Sequence, residues 1–187
     1  GTIATIAISV LCGYMLIHGN IKNNKKEEKD TTEKAEVKAD NVLQQCVEEV
    51  CNTMERITRI YDRTLIAVFK ENRKVLREMV KESNDLFYIS RERKYQVMPT
   101  LQKLQDSDID TAHYYVQVVD YLSEATKALV HITRPCFDHI DNNHEGMTKE
   151  QIEDLMHIND DVESIYRHIN KMLKNNDFKD IDQVLEQ

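Results

Sequence analysis

An all-α fold, an antiparallel up-down bundle of three to four long helices, is what this sequence predicts, and three observations predict it. The 187 residues include only 4 Gly and 2 Pro and no Trp, too little punctuation for the many turns of an all-β or α/β chain. Apolar residues recur at alternating spacings of three and four along several long stretches, the period of an amphipathic helix. The breaks between those stretches are short, so helices adjacent in sequence must run antiparallel. A chain of this length has room for one well-formed core, so a single main domain is expected.

The first element lies at the N-terminus. From Thr2 to Ile17 the run TIATIAISVLCGYMLI carries no charge, and Lys22, Lys25 and Lys26 follow within a few residues. A spanning helix needs about 20 apolar residues, so residues 1–19 read as the end of a transmembrane helix. The lysines place the rest of the chain on the cytoplasmic side by the positive-inside tendency. A buried core helix and a signal-peptide core are the other readings of this run; the second lacks a basic n-region and a small-residue cleavage site. Residues 20–38, centred on KNNKKEEKDTTEKAEVK, mix charges of both signs and bury no face, so they form a charged linker or an exposed helical stalk.

The bundle is expected over 39–187. Its first stripe runs through Leu43, Val47, Val50, Met54, Ile57, Tyr61, Leu65 and Val68. The second, from Asn72 to about Gln105, uses Leu76, Met79, Val80, Ser83, Leu86, Phe87, Val97, Leu101 and Leu104, with Pro99 expected to kink or restart it. After the turn signal Asp106-Ser107-Asp108, a third passes through Tyr115, Val118, Val119, Leu122, Ala125, Leu129, Ile132, Cys136 and Ile140, with Pro135 as a second kink. Asn142 to Gly146 breaks the pattern. Thr148 and Gln151 then stand at capping-box spacing ahead of Ile152, Leu155, Val162, Ile165, Ile169 and Met172. A short terminal helix is expected around Phe178 to Leu185.

Charge and cysteine content narrow the functional classes. Lys+Arg 25 against Asp+Glu 33 gives a net charge of -8, which repels phosphate backbones and argues against nucleic acid as a partner. The 4 Cys (Cys12, Cys46, Cys51, Cys136) form no CxxC pair, so neither a zinc knuckle nor a disulfide framework is indicated, and reduced thiols in a cytoplasmic setting fit. No glycine-rich phosphate loop, nucleophile elbow or HExxH occurs, so no catalytic step is specified and a non-enzymatic module is expected.

Two places could carry metal chemistry. On the third helix His113, Gln117, Asp120, Glu124, Lys127, His131 and Asp138 lie opposite the apolar arc centred near Leu122. Such a stripe is ordinarily the wet side of a helix, but Asp120 and Glu124, one turn apart, could present two carboxylates to a divalent ion. Around the end of that helix, Asp138, Asp141, Asn142, Asn143, His144 and Glu145 gather, where Asp138, Asp141 and His144 could meet one divalent or transition metal ion. Ordinary helix-end chemistry explains the same residues, since Asn and Asp accept an irregular terminal turn. Inward ligation of the ferritin-like kind is disfavoured: it uses two Glu-x-x-His pairs, whereas the nearest pairs here are Asp110/His113, Asp141/His144 and Asp154/His157, with His113 and His157 off the apolar stripes.

Between Phe69 and Gly146 a family resemblance emerges. FKENRK at Phe69–Lys74, TLQKLQ at Thr100–Gln105, DTAHYYVQVVDYLSEATKALVHI at Asp110–Ile132 and RPCFDHIDNNHEG at Arg134–Gly146 resemble the PhoU-like domains appended to bacterial inorganic phosphate transporters. Such proteins are helical bundles whose motif, an acid followed four residues later by Asp, holds clustered metal ions on the bundle surface. Asp120 and Glu124 fall on that motif with the acids exchanged in kind. The resemblance implies a regulator that tunes phosphate uptake from the cytoplasmic face of the inner membrane, possessing surface metal ions and attached to a transmembrane transporter domain in the same longer chain. Inorganic phosphate would be the substrate of the whole protein, and a homodimer a natural assembly. The DNNH block favours the PiT type over the sodium/phosphate cotransporter type. The alternative is a metal-free helical scaffold or signalling stalk of another membrane protein.

Overall fold

In a computed structural model, the backbone is described for residues 33–101 and 109–175 and for Asp177 and Lys179, and side chains for 44–97 and 116–175 together with those two residues. Four helices fill it: α1 Glu33–Phe69, α2 Arg73–Leu101, α3 Ile109–Asp141 and α4 Lys149–Asn175. Among the described residues there is no strand, so the all-α expectation holds. The apolar N-terminal run, the turn at Asp106–Asp108 and the terminal helix around Phe178 to Leu185 lie outside the described residues. No described helix is long and apolar enough to cross a membrane.

The α1–α2 junction shows why the chain turns where it does. Glu71 takes a left-handed backbone, φ 49°, and the N–H groups of Glu71 and Asn72 donate to the carbonyls of Val68 and Ala67 at 3.0 and 2.8 Å. That paired pattern closes the orphan carbonyls of α1 as a Schellman cap. Asn72 then starts α2, its side-chain Oδ1 accepting from the N–H of Val75 at 3.2 Å, as an N-cap residue does. One short turn thus ends one helix and begins the next, and α2 returns antiparallel to α1.

The cross-helix pairs run in opposite directions throughout, as an up-down bundle requires. Between α1 and α2, Arg59 meets Glu82 at 2.8 Å and Arg93 meets Glu49 at 3.5 Å. Between α2 and α3, Lys94 meets Asp120 at 2.9 Å and Arg73 meets Asp141 at 3.3 Å. Between α1 and α4, Lys174 meets Glu55 and Asn159 meets Asp62. Helices α1, α2 and α3 pack pairwise, and α4 has α1 as its main neighbour rather than α3, which precedes it in sequence. The loop of residues 142–148 is long enough to carry the chain past α3 and onto α1.

The predicted stripes form the core. Val50, Met54, Ile57, Tyr61 and Leu65 of α1, Met79 and Leu86 of α2, Val118, Leu122, Ala125 and Leu129 of α3, and Ile165, Ile169 and Met172 of α4 are buried in one apolar cluster. A second cluster of Ala67, Val68, Leu76 and Ile140 seals the end near the α1–α2 turn. Ser83, which sits in an otherwise apolar stripe, is fully buried and shares a 2.8 Å hydrogen bond with buried Thr133. Each hydroxyl thereby escapes the cost of an unpaired polar group in a dry core.

Some expectations shift. Helix α2 continues through Pro99 to Leu101, and α3 runs unbroken across Pro135. Pro135 and His131 are both exposed, so the helical hydrogen bond that proline cannot donate to the His131 carbonyl is lost on the solvent side of α3. In α4 Ile158, three residues after the stripe position Leu155, is 51 % exposed, and Asn159 beside it is buried, its amide donating to Asp62 at 3.0 Å. The hydrogen bond to α1 draws Asn159 inward and turns Ile158 out. Helix α1 already begins at Glu33, so the backbone of residues 33–38 is continuous with the bundle helix.

Candidate functional site

The wet face of α3 is arranged as its periodicity implies. Glu124, Lys127, His131 and Asp138 are exposed and Asp120 is half-buried, while Leu122, Ala125 and Leu129 face the core. His113 lies outside the residues with described side chains. Asp120 and Glu124 therefore share one exposed face, a turn apart, but neither carboxylate is alone. Lys94 of α2 places Nζ 2.9 Å from Asp120 Oδ1, and Lys127 Nζ is 3.5 Å from Glu124. The hydrogen bond to Asp120 and then its charge hold the Lys94 ammonium above its ordinary pKa, with Glu124 adding to the effect. A cation entering here must replace an ammonium that already balances one carboxylate.

At the end of α3 the candidate ligands are spoken for separately. Asp138 lies 4.0 Å from Arg134 on its own helix, a turn away. Asp141 pairs with Arg73 at 3.3 Å, and the same guanidinium donates to the carbonyls of Ile140 and Asp141 at 3.3 and 3.2 Å and to Asn143 Oδ1 at 3.2 Å. Cations at a helix C-terminus satisfy orphan carbonyls and oppose the negative end of the helix dipole. Arg73 is in effect a cap supplied by another helix. His144 stacks on His139, ring centroids 5.1 Å apart and 19° from parallel, and His139 Nε2 lies 3.0 Å from the carbonyl oxygen of Glu145. Stacked rings direct their nitrogens side by side rather than toward one point.

Backbone geometry completes this end. Asn143 is left-handed, φ 53°, and the N–H groups of Asn143 and His144 donate to Ile140 and His139 at 3.2 and 3.1 Å, a second Schellman cap like that at Glu71. The two caps lie against each other: a Cβ on Gly146 would stand 2.5 Å from Glu71 Oε1, so the side chain of Glu71 rests on the glycine. Thr148 and Gln151 form the expected capping box, with bonds of 2.9 and 3.2 Å in the two directions.

Among the described residues no three His, Cys, Asp or Glu side chains converge closely enough to hold a metal ion. Asp120 and Glu124 are brought to one face; Asp138, Asp141 and His144 share an end of the bundle but are engaged in three different contacts. Sequence reading passed over Arg73, Glu71 and His139. The spacing of Asn142 to Gly146 signals a cap, but nothing local tells that an arginine 68 residues away supplies it.

Comparison with models of known protein families, with curated proteins and with solved structures finds no match to this chain.

Proposed function

We propose that this chain is a PhoU-like regulatory domain of a bacterial inorganic phosphate transporter, tuning phosphate uptake from the cytoplasmic side without catalysing a reaction of its own. The observation that carries the reading is the placement of Asp120 and Glu124. They stand one turn apart on an exposed face beside the α2–α3 packing seam, where an ion bound from solvent touches the interface between two helices. The all-α bundle is the fold the resemblance implies, and the resembling segment, Phe69 to Gly146, takes in the α1–α2 turn, all of α2 and α3 and the start of the loop after it.

The chemistry required is modest. Solvent-screened ion pairs such as Lys94–Asp120 are weak, so a divalent ion can exchange for the Lys94 ammonium. Lys94 would swing into solvent, and Asp120 and Glu124 would serve as oxygen ligands with water filling the remaining positions. Binding would then couple a metal to the geometry of α2 against α3, and so to whatever the bundle touches.

The second reading, a metal-free helical scaffold or signalling stalk, is favoured by the two lysines that already neutralise these carboxylates and by the absence of a third ligand among the described residues. Thermal unfolding of the chelated protein, with Mg, Mn, Fe, Ni or Zn ions added back, separates the two. A saturable rise in melting temperature that vanishes in Asp120→Asn/Glu124→Gln supports the regulator, because a ligand of the native state stabilises it by mass action. The double variant should retain its helical spectrum, since Glu124 is exposed and half-buried Asp120 lies off the apolar core. No rise with any ion leaves the scaffold, and unchanged phosphate uptake by a transporter bearing the double substitution would remove the metal from the regulatory role.

A further inference from the structure

Away from that face, α1 and α4 enclose a cleft of about 550 Å³. Four cationic side chains line it: Arg59 from α1, and Arg167, Lys171 and Lys174 from α4. Glu55, Asp62 and Glu163 are the carboxylates in the same lining. In a protein whose net charge is -8, a concavity whose lining holds four cations to three carboxylates, with Glu82 facing Arg59 from outside the lining, is less acidic than the average surface and is where an anion meets the least repulsion.

The three α4 cations are spaced four and three residues apart, so they project from one side of the helix. From Arg167 to Lys174 they extend roughly 10 Å along the axis at about 1.5 Å per residue. A single tetrahedral anion is too short to reach all three. Arg167 is paired with Glu163 on its own helix, Lys174 with Glu55 of α1, and Arg59 with Glu82 of α2. These are surface pairs of the weak, exchangeable kind. Lys171 is exposed and has no ion pair among the described residues. The lining is polar as well: Asp62, held from outside it by the 3.0 Å hydrogen bond from Asn159, and the nine-tenths buried Asn170 both border the cleft.

We infer that this cleft binds a chain of linked phosphoryl groups, the end of an inorganic polyphosphate or the triphosphate of a nucleotide. The guanidinium forks of Arg59 and Arg167 match phosphoryl oxygens in a way an ammonium cannot, and Lys171 and Lys174 supply point charges further along α4. A bound chain would bridge α1 and α4, two helices whose contact is the main attachment of α4 to the bundle. The inference is independent of the metal reading, because it uses none of the same side chains.

Calorimetric titration of the 187-residue chain with tripolyphosphate, orthophosphate and ATP at one fixed ionic strength provides the test. Tripolyphosphate should bind saturably and at least about tenfold more tightly than orthophosphate, and Arg167→Gln/Lys171→Gln should weaken it by about tenfold or more. Lys81→Gln/Arg134→Gln, with the same loss of charge away from the cleft, should stay within about twofold of the parent, and Lys171→Arg should still bind. ATP as tight as tripolyphosphate identifies the nucleotide as a source, whereas much weaker ATP identifies the free inorganic chain. The inference is overturned by no tripolyphosphate binding, by orthophosphate binding as tightly, or by a control variant that loses as much as the cleft variant.

Discussion

Replacing Ile169 with alanine tests how α4 is held. Ile169 is fully buried, and it docks α4 on α1 together with Ile165, Tyr166, Met172 and Leu173, each under a tenth exposed. Deleting a buried isoleucine to alanine removes its transfer free energy and leaves a cavity, together about 2–5 kcal/mol. Two long helices confine the site, so it can collapse only partly, and the middle of that range, about 3 kcal/mol, is expected. For a protein of this size each kcal/mol shifts the melting temperature by about 2–4 °C, so a fall of roughly 6–12 °C should result. Urea unfolding should show the midpoint falling with an unchanged slope. Native-state hydrogen exchange adds a sharper expectation: in the parent protein the best-protected amides of α4 should exchange through openings of lower free energy than those of α3, because α4 has one main neighbour and α3 has two. A loss under about 1 kcal/mol, or protection in α4 equal to that in α3, would refute the picture of a helix attached through one seam.

Two further outcomes are expected. Glu71→Gly should stabilise the protein by about 0.5–1 kcal/mol in urea unfolding, because the left-handed backbone costs a side-chain-bearing residue about 1–2 kcal/mol and glycine's extra unfolded entropy returns only about 0.5–1 kcal/mol of that; the side chain removed merely rests on Gly146. At alkaline pH, Cys51 should make stability fall as pH rises from 9.0 toward about 11, since desolvation by burial pushes its thiol up to about 11 from 9.0. The unfolded chain gives up that proton first, so deprotonation favours unfolding, by up to about 3 kcal/mol from this one group. Below pH 9.0 its contribution is fully present, and the same desolvation should leave Cys51 unreactive to alkylation at neutral pH until urea is added.

The helices were legible in the sequence because each stripe is long and its errors average out. Of the predicted α1 positions with described side chains, Val50, Met54, Ile57, Tyr61, Leu65 and Val68 are all buried and Val47 is half-buried. The breaks were legible for chemical reasons: Thr148 and Gln151 carry a capping box in their types alone, and the Asn-rich run before Gly146 announces a terminating turn. Where single contacts decide the outcome, the sequence was mute. Asn159 turns inward because Asp62, 97 residues away, accepts its amide, and no periodicity contains that information. The site was half legible for the same reason. The shared face of Asp120 and Glu124 comes from helical geometry, but Lys94, which neutralises Asp120, arrives from another helix.

That α4 returns to α1, past the α3 from which it springs, sets two of the bundle's seams in contrast. The α2–α3 seam is bound along its length by Ser83 with Thr133, Arg77 over the ring of Phe137 and Lys94 with Asp120, and it bears the paired carboxylates. The α1–α4 seam is mainly apolar over the second half of α4, where Ile165, Tyr166, Ile169, Met172 and Leu173 are buried beside the one polar Asn170, while in the first half Ile158 stands exposed and Asn159 occupies the buried place. A ligand on the first seam acts on elements already held by many contacts, so its leverage on shape is small and its signature is added stability. A ligand on the second acts where one helix is held through one neighbour, so the same binding energy moves more structure. Regulation by a small ion and regulation by a larger anion would then differ in kind: the first stiffens the bundle, and the second sets whether α4 stays closed on α1.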